Sequence, residues 1–480
     1  MNINLIIKPV KISILALLSI FILTCVLTVS SILLLDYVKP SGLFAVTPHE
    51  KLVIDNVNIV DPSNNEVLRN RQVTIENGII SEINIAKTPF ENSKFIDGEG
   101  DYLTPGLMDM HVHMHDRKHL MLTLAHGVTT VRSLRGQPKH LRWKNELENN
   151  EWLGSNLYSS SPVLAGAGTH ALNQEVLTPE DGANQVKLAN SKGYDSIKVY
   201  GDLDAKTFES IMNTAKKLNI PVAKHAPLPA QGSHWQYIEN IQSLEHVEDI
   251  FQGLLNYEFD ANKLQGIALQ LKKLNTPFVP TLETFNHLTQ LSVHKQSFID
   301  TLPLEYLNPL YFDIERLFSV SRWLEVSEEH ANFNKKELNF LLETVKALHD
   351  HNVKLLVGSD TGTMYTIPGI ATHNEIKLMK QAGLPNYKIL QAATINAAEA
   401  LGVENKYGSI DVGKIADLVL SNQNPLKNIE TLQQPTAVIK NGQYIDKKTL
   451  NLIKDSAKEH SYYWSVIALL EDLLTRFVFS

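Results

Sequence analysis

The stretch Leu103 to His113, LTPGLMDMHVH, decides how the rest of the chain is laid out. Leu107, Met108 and Met110 are apolar around a short Asp109, and the run ends in His111-Val112-His113. A strand turns successive side chains to opposite faces, so His111 and His113 point the same way. Two neutral imidazoles side by side can hold one cation, which makes the pair a metal-ligand candidate; the same spacing alone also fits a core or edge position.

Outward from that strand, apolar runs alternate with helical stretches, the pattern of a parallel α/β fold. GVTTVRSL (127–134), NLYSSSPVL (156–164), DSIKVYG (195–201), IPVAKHA (220–226), SLEHVED (243–249), PFVPTLE (277–283) and KLLVGSD (354–360) follow it, which makes eight. Eight strands with intervening helices over roughly 300 residues predict a (β/α)8 TIM barrel, whose chemistry lies at the C-terminal ends of its strands. His113, Lys198, His225, His246 and Asp360 fall at or near those ends. Ionisable residues at five separate strand ends argue against a satisfied-core accident.

Both flanks of the barrel read as strands. KLVIDNVNIV, RQVTIENGII and SEINIA alternate apolar and polar residues, as do KYGSIDVGKIADLVL and PTAVIKNGQYID near the other end. Together they are expected to close one small β-sandwich domain. The expected division is 1–45 for a membrane anchor and linker, 46–103 and 403–447 for the two parts of the β domain, 104–402 for the barrel, and 448–480 for a C-terminal helical extension.

Of 480 residues, 43% are apolar and 20% charged, which excludes wholesale disorder and a polytopic membrane protein. The net charge of -8, from 44 basic and 52 acidic residues, argues against a nucleic-acid partner. A single cysteine, Cys25, excludes an internal disulfide framework and a cysteine-based zinc site. Ile12 to Leu35 carries no charged side chain. At about 1.5 Å per helical residue the run reaches roughly 36 Å, enough to span a membrane. It reads as an uncleaved single-pass transmembrane helix, with a cleaved signal peptide as the alternative. Lys8 and Lys11 then stay cytoplasmic and the catalytic domain is extracytoplasmic, periplasm-like. The apolar stretch Tyr462 to Ser480 fits docking on its own domain, on the membrane, or on a second subunit of a homo-oligomer.

His111, His113, His225 and His246 offer nitrogen donors and Asp360 an oxygen donor, a mixture that suits zinc best, with manganese, iron or cobalt open. Lys198 is the odd member, because an ammonium repels cations. Reaction with carbon dioxide makes it a carbamate able to bridge two divalent metal ions; the alternative is a Lys198–Asp360 pair beside a one-metal centre. Tyr200 shares the strand face of Lys198 and, with His170 in AGAGTHAL, is a candidate substrate contact; barrel-mouth packing and a solvated loop fit them as well. Arg132 and Arg135 are candidates for a substrate carboxylate, although an arginine at a strand end more often forms a structural ion pair.

The motifs LTPGLMDMHVH, AHGVTTVRSL, SIKVY, AKHA, LEHVED, VGSDTGTMYTIPGIATHNEIKLM and ATINAAEALGVENKYGSIDVGKIADLVL together resemble the amidohydrolase superfamily over about Lys51 to Asp446, most of all its imidazolonepropionase-related and prolidase-like members. The resemblance implies that His111, His113 and Asp360 hold one metal, His225 and His246 the other, and a carboxylated Lys198 bridges them. It further implies that a metal-bound hydroxide attacks the carbonyl of a small-molecule substrate while Asp360 carries the water proton to the leaving nitrogen. The expected function is hydrolysis of a C–N bond in an amide or cyclic amide, a small dipeptide included. A ring deaminase on the same barrel and a non-catalytic membrane-anchored binding protein are the alternatives. Ser133, where relatives commonly carry an aspartate, and the long segment Thr284 to His349, with Phe285, Tyr306, Tyr311, Phe312 and Trp323, depart from the pattern.

Overall fold

Strand-forming sequence gathers into a central ring and a flanking sheet in the computed structural model, which describes residues 23–32, 34, 39, 41–85, 93–168, 173–226, 235, 237–239 and 241–479. The first flank supplies β1 (Lys51–Asp61), β2 (Glu66–Glu76), β3 (Ile79–Ile85), β4 (Lys94–Asp97) and β5 (Tyr102–Pro105). Asn77 and Gly78 both take positive φ, 50° and 83°, the turn that suits the twist of the β2–β3 hairpin. One edge of β1 pairs with β2, and its other edge pairs in parallel with β4 and β5.

The ring is built from β6 (Leu107–Val112), β7 (Val128–Ser133), β8 (Asn156–Ser159), β9 (Leu164–Ala165), β10 (Gln174–Glu175), β11 (Ile197–Val199), β12 (Val222–His225), β13 (Ser243–Glu245) and β14 (Phe278–Val279). Parallel pairing runs β6-β7-β8 and β11-β12-β13-β14, with β9 extending the arm that β8 begins and β10 lying outside it. A parallel bridge from Ser160 to Ser196 joins the two sheets, and the extended segment 355–361 closes the ring through parallel bridges Phe278–Leu355 and Val112–Thr361. The arms are therefore β6, β7, β8–β9, β11, β12, β13, β14 and 355–361, eight in number. Parallel arms bring all their C-terminal ends to one mouth.

β15 (Leu418–Ser421), β16 (Ala437–Lys440) and β17 (Gln443–Asp446) return from the far end of the chain, and β15 pairs antiparallel with β5. The expected sandwich is one continuous eight-stranded sheet, ordered β17-β16-β15-β5-β1-β2-β3 with β4 also on β1. A bridge between Ile79 and Ile415 folds it over on a single core that includes Leu52, Ile54, Ile75, Leu418 and Ile439.

The long segment after β14 forms helices, among them Leu282–His294, Pro309–Glu315 and Glu328–Asp350, the last started by Ser327, whose side chain accepts from the backbone N–H of His330. Phe285 is core, whereas Tyr311 stacks on His115 at 4.0 Å and Phe312 on Tyr365 at 4.7 Å, beside the mouth. The C-terminal helix Tyr462–Phe479 docks on its own domain. Lys139 Nζ, buried in the helix Pro138–Glu148, donates to Asp472 at 2.7 Å and to the Tyr311 hydroxyl at 3.1 Å, and Arg142 grips Glu471 with both Nη atoms at 2.9 Å.

Among the described residues no helix is long and apolar enough to cross a membrane. This corrects the expected transmembrane helix over Ile12 to Leu35, and with it the membrane partner and the periplasm-like location drawn from that helix. Residues 12–22, 33 and 35 of the run lie outside the described residues. Within its helical part, 23–32, Ser31 is buried and hydrogen-bonds the Tyr463 hydroxyl at 2.7 Å. Part of the apolar run thus meets the C-terminal helix, a contact that a length-and-hydropathy argument cannot register.

Asp472→Ala leaves the Lys139 ammonium buried without its carboxylate. The variant is expected to lose about 3–5 kcal/mol, read as a lowered urea midpoint, and the double variant Lys139→Met/Asp472→Leu to recover most of it.

Candidate metal centre

The first and last arms of the ring are locked together at the mouth. Asp360 N–H donates to the His111 carbonyl at 2.8 Å and His113 N–H to the Thr361 carbonyl at 2.7 Å. Such close passage needs glycine: a Cβ on Gly358 would stand 2.9 Å from the Cβ of His111, and one on Gly362, where φ is 93°, 2.0 Å from the His113 carbonyl oxygen. His111 Nε2 and His113 Nε2 then lie 3.4 Å and 2.8 Å from Asp360 Oδ1. Ligand atoms of these three residues all fall within 4.8 Å of one another, a His-His-Asp cluster fit to hold a divalent metal.

His225 and His246 come from the fifth and sixth arms and stack on each other with ring centroids 4.3 Å apart; His246 is 4.6 Å from the His111 ring. Neighbouring groups fix the tautomers. His111 Nδ1 is 2.8 Å from Glu245 Oε2 and His225 Nδ1 2.9 Å from Asp249 Oδ2, so each Nδ1 donates and each Nε2 lone pair is left for a cation. The Thr281 hydroxyl donates to the Pro280 carbonyl at 2.7 Å, so it accepts from His246 Nδ1–H at 2.8 Å, which again leaves Nε2.

Lys198 lies among these rings. Its Nζ is buried and makes no hydrogen bond among the described residues. Burial brings the Lys198 amine down to about 8. Burial, and next the charge of Lys198, holds His111 well below the usual imidazole range; burial, and next the charge of His246, does the same for His225. His246 is the exception, because Glu248 outweighs burial and lifts it to about 9. Against burial, contact with His113 lowers the Asp360 carboxyl to about 2. A buried amine with no hydrogen bond among the described residues, beside His111, His113 and His225 held in the neutral form that metals require, fits a metal centre.

Of the other sequence candidates, Tyr200 stands edge-on to His225 at 4.5 Å, and His170 lies outside the described residues. Arg132 is structural: it donates to Met110 O, Gln242, Ser243 and, at 2.9 Å, Glu245. Sequence reasoning missed Glu245, Asp249 and Thr281, which orient the histidines, and Asp109, whose carboxylate accepts from Ser359 N at 3.0 Å, Ser359 Oγ at 2.6 Å and Thr372 Oγ1 at 2.6 Å. A carboxylate inside an apolar strand, as in LMDMHV and SLE, was the available signal.

Residues 102–445 match the family model described as the amidohydrolase family. The 5'-deoxyadenosine deaminase of Methanosphaera stadtmanae is 23% identical over 81% of this chain and 93% of its own length. The imidazolonepropionase of Pseudomonas aeruginosa is 23% identical over 69% of this chain and 81% of its own. Among solved structures, a bottromycin amidohydrolase aligns at TM-score 0.69 with 22% identity, covering 89% of this chain and 93% of that one. A Xaa-Pro dipeptidase with methionine bound in its active site aligns at TM-score 0.65 with 20% identity, covering 82% and 100%.

Asp249→Ala frees the His225 ring to turn. Competition with a chromogenic chelator is expected to show metal affinity weakened about 10–100-fold, with an unchanged far-UV circular dichroism spectrum.

Proposed function

Because the chain belongs to the amidohydrolase family and its relatives include a deaminase and an imidazolonepropionase, we propose that it hydrolyses the amide bond of a small, dipeptide-like substrate at a two-metal centre. The observation that carries this reading is the Lys198 amine, buried and without a hydrogen bond among the described residues, beside four histidines and Asp360. An amine brought down to about 8 is partly neutral near pH 7. The neutral form can add carbon dioxide, forming an N–C bond, releasing a proton and leaving an anionic carbamate. That anion supplies the negative charge that a pair of cations would otherwise lack.

His111, His113 and Asp360 would hold one metal, zinc by donor type, and His225 and His246 the other, with carboxylated Lys198 shared. Bound there, such ions polarise a carbonyl oxygen and lower the pKa of water toward neutrality. Asp360, ionised at neutral pH, would take a proton from the attacking water and return it to the leaving nitrogen. Tyr200, beside His225, and His170 are the proposed substrate contacts.

Ring deamination is the second reading, favoured by the 5'-deoxyadenosine deaminase match across 93% of that protein. Ammonia release from purine nucleosides, set against amino-acid release from dipeptides, separates the two. In the metal-loaded protein about two divalent ions per chain are expected, falling to about one in Lys198→Ala by elemental analysis. Asp360→Asn is expected to lower kcat by about 10²–10⁴-fold. A Lys198→Ala protein that keeps two tightly held ions and full turnover overturns the bridging role.

A further inference from the structure

Among the described residues, two charged side chains at the mouth, Arg135 and Glu315, have no ion-pair partner. Arg135 follows β7 by two residues, on the arm next to His111 and His113. Its guanidinium is half-buried, its Nε is buried without a hydrogen bond, and it makes no ion pair among the described residues. Glu315 ends the helix Pro309–Glu315, and its Oε2 accepts the Met364 N–H at 2.7 Å in the loop just after Asp360. It too makes no ion pair among the described residues. Both therefore stand where the first, second and eighth arms meet, on the His111–His113–Asp360 side of the mouth.

The two groups act on each other and on the centre without touching. Arg135 is among the charges that depress His113 and oppose the upward push of burial on Glu315, which stands at about 7, and Asp360 is among those that raise Glu315. Unpaired charge held partly out of water is costly unless a ligand completes it. A guanidinium fork matches a carboxylate in two-pronged fashion, and a carboxylate with a free oxygen accepts from an ammonium. Opposite charges too far apart to pair suit the two ends of one short zwitterion, and two extended residues span about 7 Å.

We propose that Arg135 receives the C-terminal carboxylate and Glu315 the free ammonium of the substrate, so that the substrate class is the unblocked dipeptide with its amide held between them over the metal-ligand cluster. This rests on the amide-hydrolysis reading above. The test uses the full chain loaded with zinc and three pools with the same peptide bonds: unblocked dipeptides, their C-terminal amides, and their N-acetyl forms, each followed by mass spectrometry. The unblocked pool is expected to be cleaved about 10–100-fold faster than either blocked pool. Arg135→Gln is expected to raise KM for the unblocked pool by a similar factor while leaving cleavage of the amidated pool unchanged, with Arg135→Lys recovering part of the loss. Glu315→Gln is expected to do the same against the N-acetyl pool. Equal cleavage of blocked and unblocked pools, or an Arg135→Gln variant slowed equally on all three, overturns this assignment and leaves amide hydrolysis standing. No cleavage of any pool by protein carrying two metals overturns both.

Discussion

Glu245 has no exposure to water, and its two oxygens are taken by Arg132 on one side and His111 on the other. Arg132 also holds the Met110 carbonyl and the side chains of Gln242 and Ser243, so one buried network ties the sixth arm to the first and second. Asp109 does the same between the first arm and the eighth, through Ser359, and reaches the helix Ile370–Gln381 through Thr372. Inside a barrel these bonds have no competing solvent, and each is strong because its alternative is an unsatisfied group. The metal-ligand candidates therefore sit on a floor whose polar groups are already committed, and their rings have little freedom to turn.

Backbone strain is also present at the same level. His246, Thr281 and Asp360 adopt φ of 66°, 55° and 52°, a region that costs a side-chain-bearing residue about 1–3 kcal/mol. Each lies at the end of its arm, where the chain must leave the strand direction to turn a side chain over the mouth. The parallel bridges and the packed ring hold these residues there. Thr281 shows the coupling, since the same bent residue supplies the oxygen that fixes His246.

The arms of the barrel were legible because each is an apolar run of strand length; the strand-end rule brought His113, Lys198, His225, His246 and Asp360 into consideration without any structure, and strand alternation joined His111 to His113. The sheet built from both flanks was legible from alternation, although its folding into one continuous layer was not, since the Ile79–Ile415 bridge leaves no mark in either segment. Glu245, Asp249 and Thr281 escaped notice because a polar residue beside a histidine reads the same whether it orients that ring or another; the partner of Glu245 is on the first arm, far away in the text. Arg132 and Arg135 look alike in VRSLRG, yet one is consumed by Glu245 and the other makes no ion pair among the described residues, a difference made by other strands. The apolar run near the N-terminus met the length rule for a membrane span, but that rule has no place for a protein surface such as the one Tyr463 offers Ser31.

The pairing of β5 with β15 bears on how the chain comes together in time. Pro105 finds its opposite number at Leu418, 418 minus 105 or 313 positions later. At the usual pace of synthesis, about 5–20 residues per second, the edge at Tyr102–Pro105 waits on the order of 15–60 s for its neighbour. During that interval β1, β2 and β5 present an incomplete layer with open backbone groups, the kind of edge to which other chains adhere. The small sheet is thus begun first and finished last, and the barrel is made while its own base is half built.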